Sequence, residues 1–226
     1  MTAPLLFRFK TLLAGDSGVG KTEFALVASQ PPPPPSAPRR TPLPAASTIG
    51  VDFVTAERAH GTVRRADGRA VPCSARHQLW DTAGQERFRA CVEPMFRNAD
   101  NVILMYDITN GETFESLCKH WYPLVAGAAP ERCQYFIVGT KLDLLTTHGG
   151  ERPRPVAAST VEAFARQIGA RVFETDSMVV GGWRAYETFT DISYCAVAAA
   201  PEPPPTRQPL PLAPAPAPAR RRCALT

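Results

Sequence analysis

The sequence predicts an α/β fold, a three-layer sandwich in which a mostly parallel sheet of six strands is flanked by helices. Strand-like and helix-like segments alternate along most of the chain, as in folds that connect parallel strands through helices. Two strand-like segments, Val102–Tyr106 and Tyr135–Val138, are continuously apolar, which is typical of strands buried on both faces. In such a sheet, ligands bind at the carboxyl ends of the strands.

The predicted elements begin close to the N-terminus and continue to about residue 199. Six strands are predicted at Phe7–Ala14, Val51–Ala56, Arg76–Trp80, Val102–Ile108, Gln134–Gly139 and Arg171–Glu174. Four helices are predicted at Lys21–Gln30, Glu112–Gly127, Ser159–Ile168 and Arg184–Ala199. Residues 55–77 are interpreted as an extended β-hairpin, because Asp67-Gly68 is a hairpin-turn signal.

The composition of the 226-residue chain suits one well-packed domain with appendages, since 44% of its residues are hydrophobic. No apolar stretch approaches the ~20 residues that span a bilayer. Arg8 and Lys10 interrupt the first apolar run, so a secretory signal is not expected. The six cysteines form no CxxC pair, which predicts reduced thiols in the cytosol without a zinc site. The net charge of +4 includes no basic stripe interleaved with aromatics, so no nucleic-acid partner is expected.

The 24 prolines are concentrated in two clusters, Pro31–Pro44 and Pro201–Pro218. Proline lacks a backbone N–H and has a fixed φ, so both clusters favour polyproline II or disorder over helix or central strand. We therefore expect one domain over residues 1–200, with a proline-rich insertion at residues 31–46. A proline-rich tail follows at residues 201–226.

A phosphate-binding pattern lies between the first predicted strand and the first predicted helix. Its glycines let backbone N–H groups approach phosphates, and a helix N-terminus beneath the loop favours an anion. Lys21 supplies a positive charge for the β- and γ-phosphates, and the Thr22 hydroxyl is a hard ligand for Mg²⁺. The predicted phosphate-binding residues are Gly15, Asp16, Ser17, Gly18, Val19, Gly20, Lys21 and Thr22.

Four further segments follow this loop in order. They are Ser47–Phe53, Trp80–Phe88, Gly139–Leu144 and the shorter Glu174–Ser177. Together with the loop, this set resembles the Ras superfamily of small GTPases over about residues 5–199. Thr48–Phe53 and Trp80–Phe88 are specifically similar to the Rab family. The resemblance implies the P-loop GTPase form of the α/β fold, with GTP or GDP and Mg²⁺ as ligands.

The resemblance implies roles for residues around the γ-phosphate. Thr22 and Thr48 would ligate Mg²⁺, with Asp81 holding it through a further shell of ligands. The Thr48 backbone and the Gly84 N–H would contact the γ-phosphate, and Gln85 would orient the attacking water as the catalytic residue. Loss of the γ-phosphate would release Thr48 and Gly84, which is the switch of small GTPases.

Selection of the base is expected from Thr140, Lys141 and Asp143. The Asp143 carboxylate can accept two hydrogen bonds from the edge of guanine, a donor pair that adenine does not offer. A capping or turn role for Asp143 is the alternative. In the family pattern, the segment 174–178 reads Glu-Thr-Ser-Ala-Lys, and its alanine N–H contacts guanine O6. Ser177 would make that contact here, beside Asp176, whose carboxylate would repel O6 if it pointed inward.

The family's usual aromatic contact to the base is missing from the insertion. Residues 29–47 contain no aromatic residue, and the stretch from Thr22 to Thr48 is about eight residues longer than in the family pattern. We therefore expect nucleotide release to be faster than is usual for Rab proteins. Phe53, Trp80 and Met95 match a hydrophobic triad by which Rab proteins contact effectors, although core packing explains such aromatics equally well.

The chain ends in Arg220-Arg221-Arg222-Cys223-Ala224-Leu225-Thr226, which fits a prenylation pattern at Cys223. A free terminal cysteine is the alternative, since Thr is not a usual last residue of that pattern. The three arginines would add attraction to anionic lipid. The resemblance thus implies a monomer at the cytoplasmic face of a membrane, cycling with the cytosol. An exchange factor, an activating protein and effectors would be its partners in vesicle transport.

Two other functions remain open from the sequence. The chain could be an interaction protein that has kept the fold with weak or no nucleotide cycling, which the altered Glu174–Met178 segment favours. Alternatively, Pro31–Pro35 and Pro203–Pro205 could be ligands for proline-recognition modules carried on an α/β domain.

Overall fold

A computed structural model describes residues 5–34, 36–38, 51–64, 68–82, 89–145 and 154–201. Within these residues, six strands form one sheet in the order β2-β3-β1-β4-β5-β6. The strands are β1 (Leu5–Ala14), β2 (Val51–Arg64), β3 (Ala70–Thr82), β4 (Asn101–Asp107), β5 (Gln134–Thr140) and β6 (Arg171–Glu174). Only the pairing of β2 with β3 is antiparallel, so the predicted mostly parallel α/β sheet is confirmed.

Helices cover both faces of the sheet and complete the three layers. They are α1 (Lys21–Ser29), α2 (Arg89–Phe96), α3 (Gly111–Ser116), α4 (Tyr122–Ala128), α5 (Ala158–Ile168) and α6 (Trp183–Ala199). A π-helical turn, Leu117–Trp121, joins α3 to α4, so the single helix predicted at Glu112–Gly127 has three parts. Short 3₁₀ turns lie at Leu142–Leu145 and Val179–Gly182.

Two apolar clusters form the core, one on each face of the sheet. On one face, Phe9 and Leu13 of β1 pack with Phe24 of α1 and Phe189 of α6. On the other face, the second cluster includes Leu12, Leu104, Tyr106, Trp121 and Val161. Every residue of β4 is buried, as its continuous apolar sequence predicts for a central strand.

The hairpin of β2 and β3 is the long antiparallel part of the sheet. Its register runs from Val51 opposite Thr82 to Arg64 opposite Ala70, with an irregularity between Ala59 and Gly61. β3 also pairs in parallel with β1, so that Asp81 lies opposite Leu13 near the start of the phosphate loop. Among the helices that the structure describes, none has the length and apolar character needed to cross a membrane.

Candidate functional site

The loop between β1 and α1 is built so that only glycine fits at its first position. Gly15 has a φ of +152°, and a Cβ there would collide with the carbonyl oxygen of Met105. The loop therefore lies directly against β4, at the carboxyl end of the sheet. Gly20 is in the left-handed region at the start of α1, whose N-terminus lies below the loop.

Lys21 is buried inside this loop, with 5% of its surface exposed. Its Nζ donates to the backbone oxygens of Gly15 and Asp16 at 2.9 and 2.8 Å. Burial lowers the pKa of the Lys21 ammonium to about 8, and the carboxylates of Asp81 and Asp16 raise it only in part. An anion in the loop would favour the charged ammonium, which is the chemistry expected of a phosphate site.

Thr22 and Asp81 are brought together from two different elements. The Thr22 hydroxyl, in the first turn of α1, donates to Asp81 Oδ2 at 2.5 Å, and Asp81 lies near the end of β3. Asp81 is 6% exposed. Thr22 and Asp81, two of the three residues predicted to hold Mg²⁺, are therefore neighbours close to the Lys21 ammonium.

The carboxylate of Asp16 faces the helical layer. Its Oδ1 accepts hydrogen bonds from Ser116 Oγ and from Trp121 Nε1, both at 2.8 Å. Trp121 is fully buried, so these bonds fix the loop to the helical segment that follows β4. The Asp16 side chain therefore anchors the loop.

Thr140, at the end of β5, connects the base segment to the phosphate loop. Its Oγ1 lies 2.7 Å from the Val19 carbonyl oxygen and 3.0 Å from that of Tyr106. The Thr140 hydroxyl therefore ties the base segment to the phosphate loop.

Lys141 is held in place by the carboxylate of Asp107, which was not predicted from the sequence as a site residue. Its Nζ lies 2.7 Å from Asp107 Oδ2, at the end of β4. Lys141 has a φ of +61°, uncommon for a residue with a side chain and a feature that concentrates at functional sites. Asp143 follows in the 3₁₀ turn Leu142–Leu145 and is 7% exposed.

The segment Glu174–Ser177 lies next to this turn. The Leu142 N–H donates to the Thr175 carbonyl oxygen at 3.1 Å, and the Thr175 N–H donates to that of Gly139 at 2.8 Å. Asp176 is 3% exposed and forms an ion pair with Arg184 Nε at 3.1 Å. The guanidinium of Arg184 therefore offsets the charge that would otherwise repel a carbonyl oxygen of a bound base. Ser177 is partly exposed beside it.

Several predicted residues lie outside the residues that the structure describes. They are Thr48, Gly84, Gln85 and Cys223. The other predicted site residues lie together at the carboxyl ends of β1, β3 and β5. They are the phosphate loop, Thr22 with Asp81, and the two base segments.

Phe53 and Trp80, the two aromatic residues that match the effector-contacting triad, form a stacked pair with ring centroids 5.1 Å apart. Phe53 is 47% exposed, so it is a surface residue. Trp80 and Met95 pack against the edge of the second apolar cluster. Packing in the core, the alternative to an effector contact, therefore does not explain Phe53.

Four residues of the site were not predicted from the sequence: Asp107, Arg184 and the two donors to Asp16, which are Ser116 and Trp121. Asp107 could have been found, because a polar residue that ends a continuous apolar strand lies at the ligand edge of the sheet. Arg184 and the donors Ser116 and Trp121 carry no such local signal, since their contacts span 8 to 105 residues of sequence and depend on helix packing.

Comparison with known proteins matches the chain to the Ras family model over residues 10–179. The Ras-related protein RABD2a of Arabidopsis thaliana is 36% identical over 171 residues, covering 76% of this chain and 72% of that protein. The GTP-binding protein YPTM2 of Zea mays is 35% identical with the same coverage. The Ras-related protein Rab-3 of Caenorhabditis elegans is 34% identical, over 76% of this chain and 67% of its own length.

The family model covers most of the chain, and these relatives exceed 30% identity over three quarters of it. The matched range includes the phosphate loop, the Thr22–Asp81 pair and both base segments. The chain belongs to the Ras family and is a Rab-like small GTPase.

Proposed function

We propose that this GTPase binds GTP and GDP together with Mg²⁺, through the residues assembled at the carboxyl edge of the sheet, and acts as a switch in membrane trafficking. The observation that carries the proposal is the contact between Thr22 and Asp81 beside the buried Lys21. It unites the phosphate loop and β3, which are 59 residues apart in sequence.

The phosphates would be held by the backbone N–H groups of residues 15–20 and by Lys21. Because the Lys21 ammonium contacts only backbone oxygens of the loop among its described hydrogen bonds, it can turn to a phosphate oxygen at little cost. The N-terminus of α1 adds a favourable dipole for the same anion.

The oxygen donors fit Mg²⁺. A hydroxyl and a carboxylate are hard ligands, and Mg²⁺ is commonly held by one or two carboxylates with substrate phosphates and water. A cation here would be held by the Thr22 hydroxyl and by phosphate oxygens, with Asp81 acting through a further shell of ligands. Thr48 would supply the second hydroxyl. Bound Mg²⁺ would neutralise charge on the phosphates.

The guanine would be read by Thr140, Lys141 and Asp143 on one side, and by the backbone of Asp176 and Ser177 on the other. The Lys141–Asp107 pair fixes the lysine side chain across the end of the sheet, and Asp143 is held in the adjoining turn. Arg184 keeps the Asp176 charge compensated. These contacts support a site in which one carboxylate, Asp143, recognises the base.

For hydrolysis, we propose that Gln85 orients the attacking water and that Thr48 and Gly84 contact the γ-phosphate. Phosphoryl transfer depends on positioning and charge neutralisation, for which an amide and backbone N–H groups suffice. Loss of the γ-phosphate would release both segments, and an activating protein would accelerate the step.

We propose one domain over residues 1–200, with a tail at 201–226 that carries a lipid on Cys223. Three arginines before this cysteine would strengthen attachment to the cytoplasmic face of a membrane. Exchange factor, activating protein and effectors would act on a monomer that cycles with the cytosol. A fluorescent fusion of residues 201–226 that is diffuse, and unchanged by Cys223→Ser, would exclude the lipid.

The second candidate is an interaction protein without a nucleotide cycle. The buried Asp176 carboxylate in the base segment, where the family pattern has serine, is the observation that favours it. The two candidates differ in whether GTP is turned over.

Single-turnover hydrolysis of bound GTP tests the proposal. Gln85→Leu should slow hydrolysis tenfold or more while GDP affinity is retained. Gln167→Leu is the matched control, because Gln167 is an exposed residue of α5. Equal rates for Gln85→Leu and the unchanged protein would exclude the role of Gln85, and an absence of turnover in all three would favour the interaction protein.

A further inference from the structure

Part of the proline insertion docks on the body of the protein. Residues 31–34 and 36–38, the docked proline segment, lie against the turn Val179–Gly182. The Gly181 N–H donates to the carbonyl oxygen of Pro38 at 2.9 Å, and the Ala37 N–H donates to that of Pro34 at 2.9 Å. The segment thus contains its own turn and has a directional bond to the turn beneath it.

Gly181 is shaped to receive this segment. Its φ of +63° lies in the left-handed region, where glycine has no steric penalty. A Cβ at this position would lie 2.6 Å from the Cβ of Ala37 and 3.2 Å from the Cβ of Pro33. Any side chain here would push the docked proline segment away.

Gly182 connects the same turn to the nucleotide site. A Cβ at Gly182 would lie 2.9 Å from Cγ2 of Val27, on α1, and 3.2 Å from the Ser177 carbonyl oxygen. The glycine pair is therefore in contact with the helix that begins at Lys21, with the base segment and with the docked proline segment. If any one of these three parts moves, its contacts with Gly181 and Gly182 must change.

We propose that the docked proline segment is a latch, and that Gly181 is the positioning residue that holds it closed and slows nucleotide release. The proposal rests on the proposed nucleotide site. Pro38 precedes Thr48 by ten residues, so the bond to Gly181 fixes one end of the stretch that leads to Thr48. Proline-rich chain is also preorganised, so docking it costs less conformational entropy than docking an ordinary loop.

The latch affects the position of the base segment in the nucleotide site. While it is closed, the turn after Ser177 is braced between α1 and the proline segment, which keeps the base segment in its binding position. Opening the latch would remove this brace from the base segment. Guanine nucleotide release would then proceed by way of the open form.

The primary test compares two glycine substitutions that impose the same backbone strain. Gly181→Ala places a Cβ against Ala37, whereas Gly169→Ala, at φ +69°, adds a Cβ with no atom within 4 Å. Gly181→Ala should speed release of a fluorescent GDP analogue about fivefold to tenfold, the effect of losing about one backbone hydrogen bond. Gly169→Ala should leave the release rate within twofold of the unchanged protein.

A rescue separates the latch from a general loss of packing. Ala37→Gly in the Gly181→Ala protein removes the nearest clashing atom, so release should slow toward the original rate. Ala37→Leu alone should reproduce the fast release from the proline side, where the partly exposed position leaves folding intact. Equal release rates in Gly181→Ala, Ala37→Leu and Gly169→Ala would overturn the proposal.

Hydrogen exchange of the residue 181 amide, resolved by NMR, distinguishes failure of the latch from failure of the nucleotide site. The latch predicts protection of this amide in the unchanged protein and its loss in Ala37→Leu. Protection without nucleotide binding would remove the proposed function and with it the effect on release. An unprotected amide in a protein that binds GDP would overturn the latch alone.

Discussion

The phosphate end and the base end of the site are built differently. At the phosphate end, Lys21 and Asp81 are buried, and short hydrogen bonds connect Lys21 to the loop and Thr22 to Asp81. At the base end, the key residues are held by two ion pairs, Lys141 with Asp107 and Asp176 with Arg184. The phosphate loop at residues 15–22 follows the family pattern, whereas the base end carries the altered segment Glu174–Met178.

The difference indicates how the two ends contribute to nucleotide affinity and to base selectivity. A triphosphate offers many negative oxygens, and the loop, the helix N-terminus and the Lys21 cation can all contact them. The base offers a few directional contacts, which can be rebuilt with other residues provided that each buried charge keeps a partner. We therefore expect most of the affinity to depend on the phosphate end and most of the selectivity to depend on the base end.

The largest effect is expected from Lys21→Met. It removes a buried cation and its charge-assisted bonds to phosphate, so affinities for GTP and GDP should both fall about 100-fold or more. Lys119→Met is the control, because Lys119 is an exposed residue paired with Glu115. Equilibrium binding of fluorescent GDP measures both, and a loss confined to GTP would contradict the role assigned to Lys21.

Asp143→Asn should change selectivity more than total affinity. The amide presents a donor where guanine also has donors, so GTP affinity should fall by about tenfold to 100-fold while xanthine nucleotides become ligands. Competition between GTP and XTP measures the change. Unchanged preference for GTP would leave Asp143 with the alternative capping or turn role.

A smaller effect is expected from pH on the nucleotide-free protein. Burial lowers the pKa of Lys21 to about 8, from 10.5 in the unfolded chain, so the unfolded state holds more protons between pH 8 and 10.5. The contribution of Lys21 to stability should therefore rise with pH in this window, by up to about 1.4 kcal/mol per pH unit. Below pH 8 the group contributes no slope. Urea unfolding at pH 7.5 and 9.5 measures it, and the rise should be absent in Lys21→Met.

The smallest effect is expected from Arg184→Ala. Its side chain is 56% exposed, so solvent screens its pairing with Asp176. GDP release should accelerate about threefold to fivefold as the Asp176 charge loses this partner. Arg166→Ala, which removes an exposed arginine paired with Glu162, should leave the rate unchanged. A slower release in Arg184→Ala would mean that the base end does not depend on this pair.

The phosphate loop and the parallel sheet could be predicted because both have local signals. Glycine spacing marks the loop, and continuous apolar runs mark β4 and β5. The helix Arg89–Phe96 was not predicted, because Pro94 lies inside it and proline ordinarily argues against a helix interior.

The contacts that hold the base end could not be predicted from the sequence. Asp107 contacts Lys141 because β4 and β5 pair with Asp107 opposite Thr140. The sequence of neither strand alone determines that register. The docking of Pro38 on Gly181 joins residues more than 140 positions apart. The proline run predicts an extended chain, and the surface that receives it depends on the turn before α6.

The most direct test of nucleotide cycling is to denature freshly purified protein and identify the released nucleotide by ion-exchange chromatography. Near-stoichiometric GDP is expected, since a working base end selects guanine and hydrolysis consumes bound GTP. Folded protein that is supplied with Mg²⁺ and releases no nucleotide would contradict the proposed GTPase switch and favour an interaction protein built on the same fold.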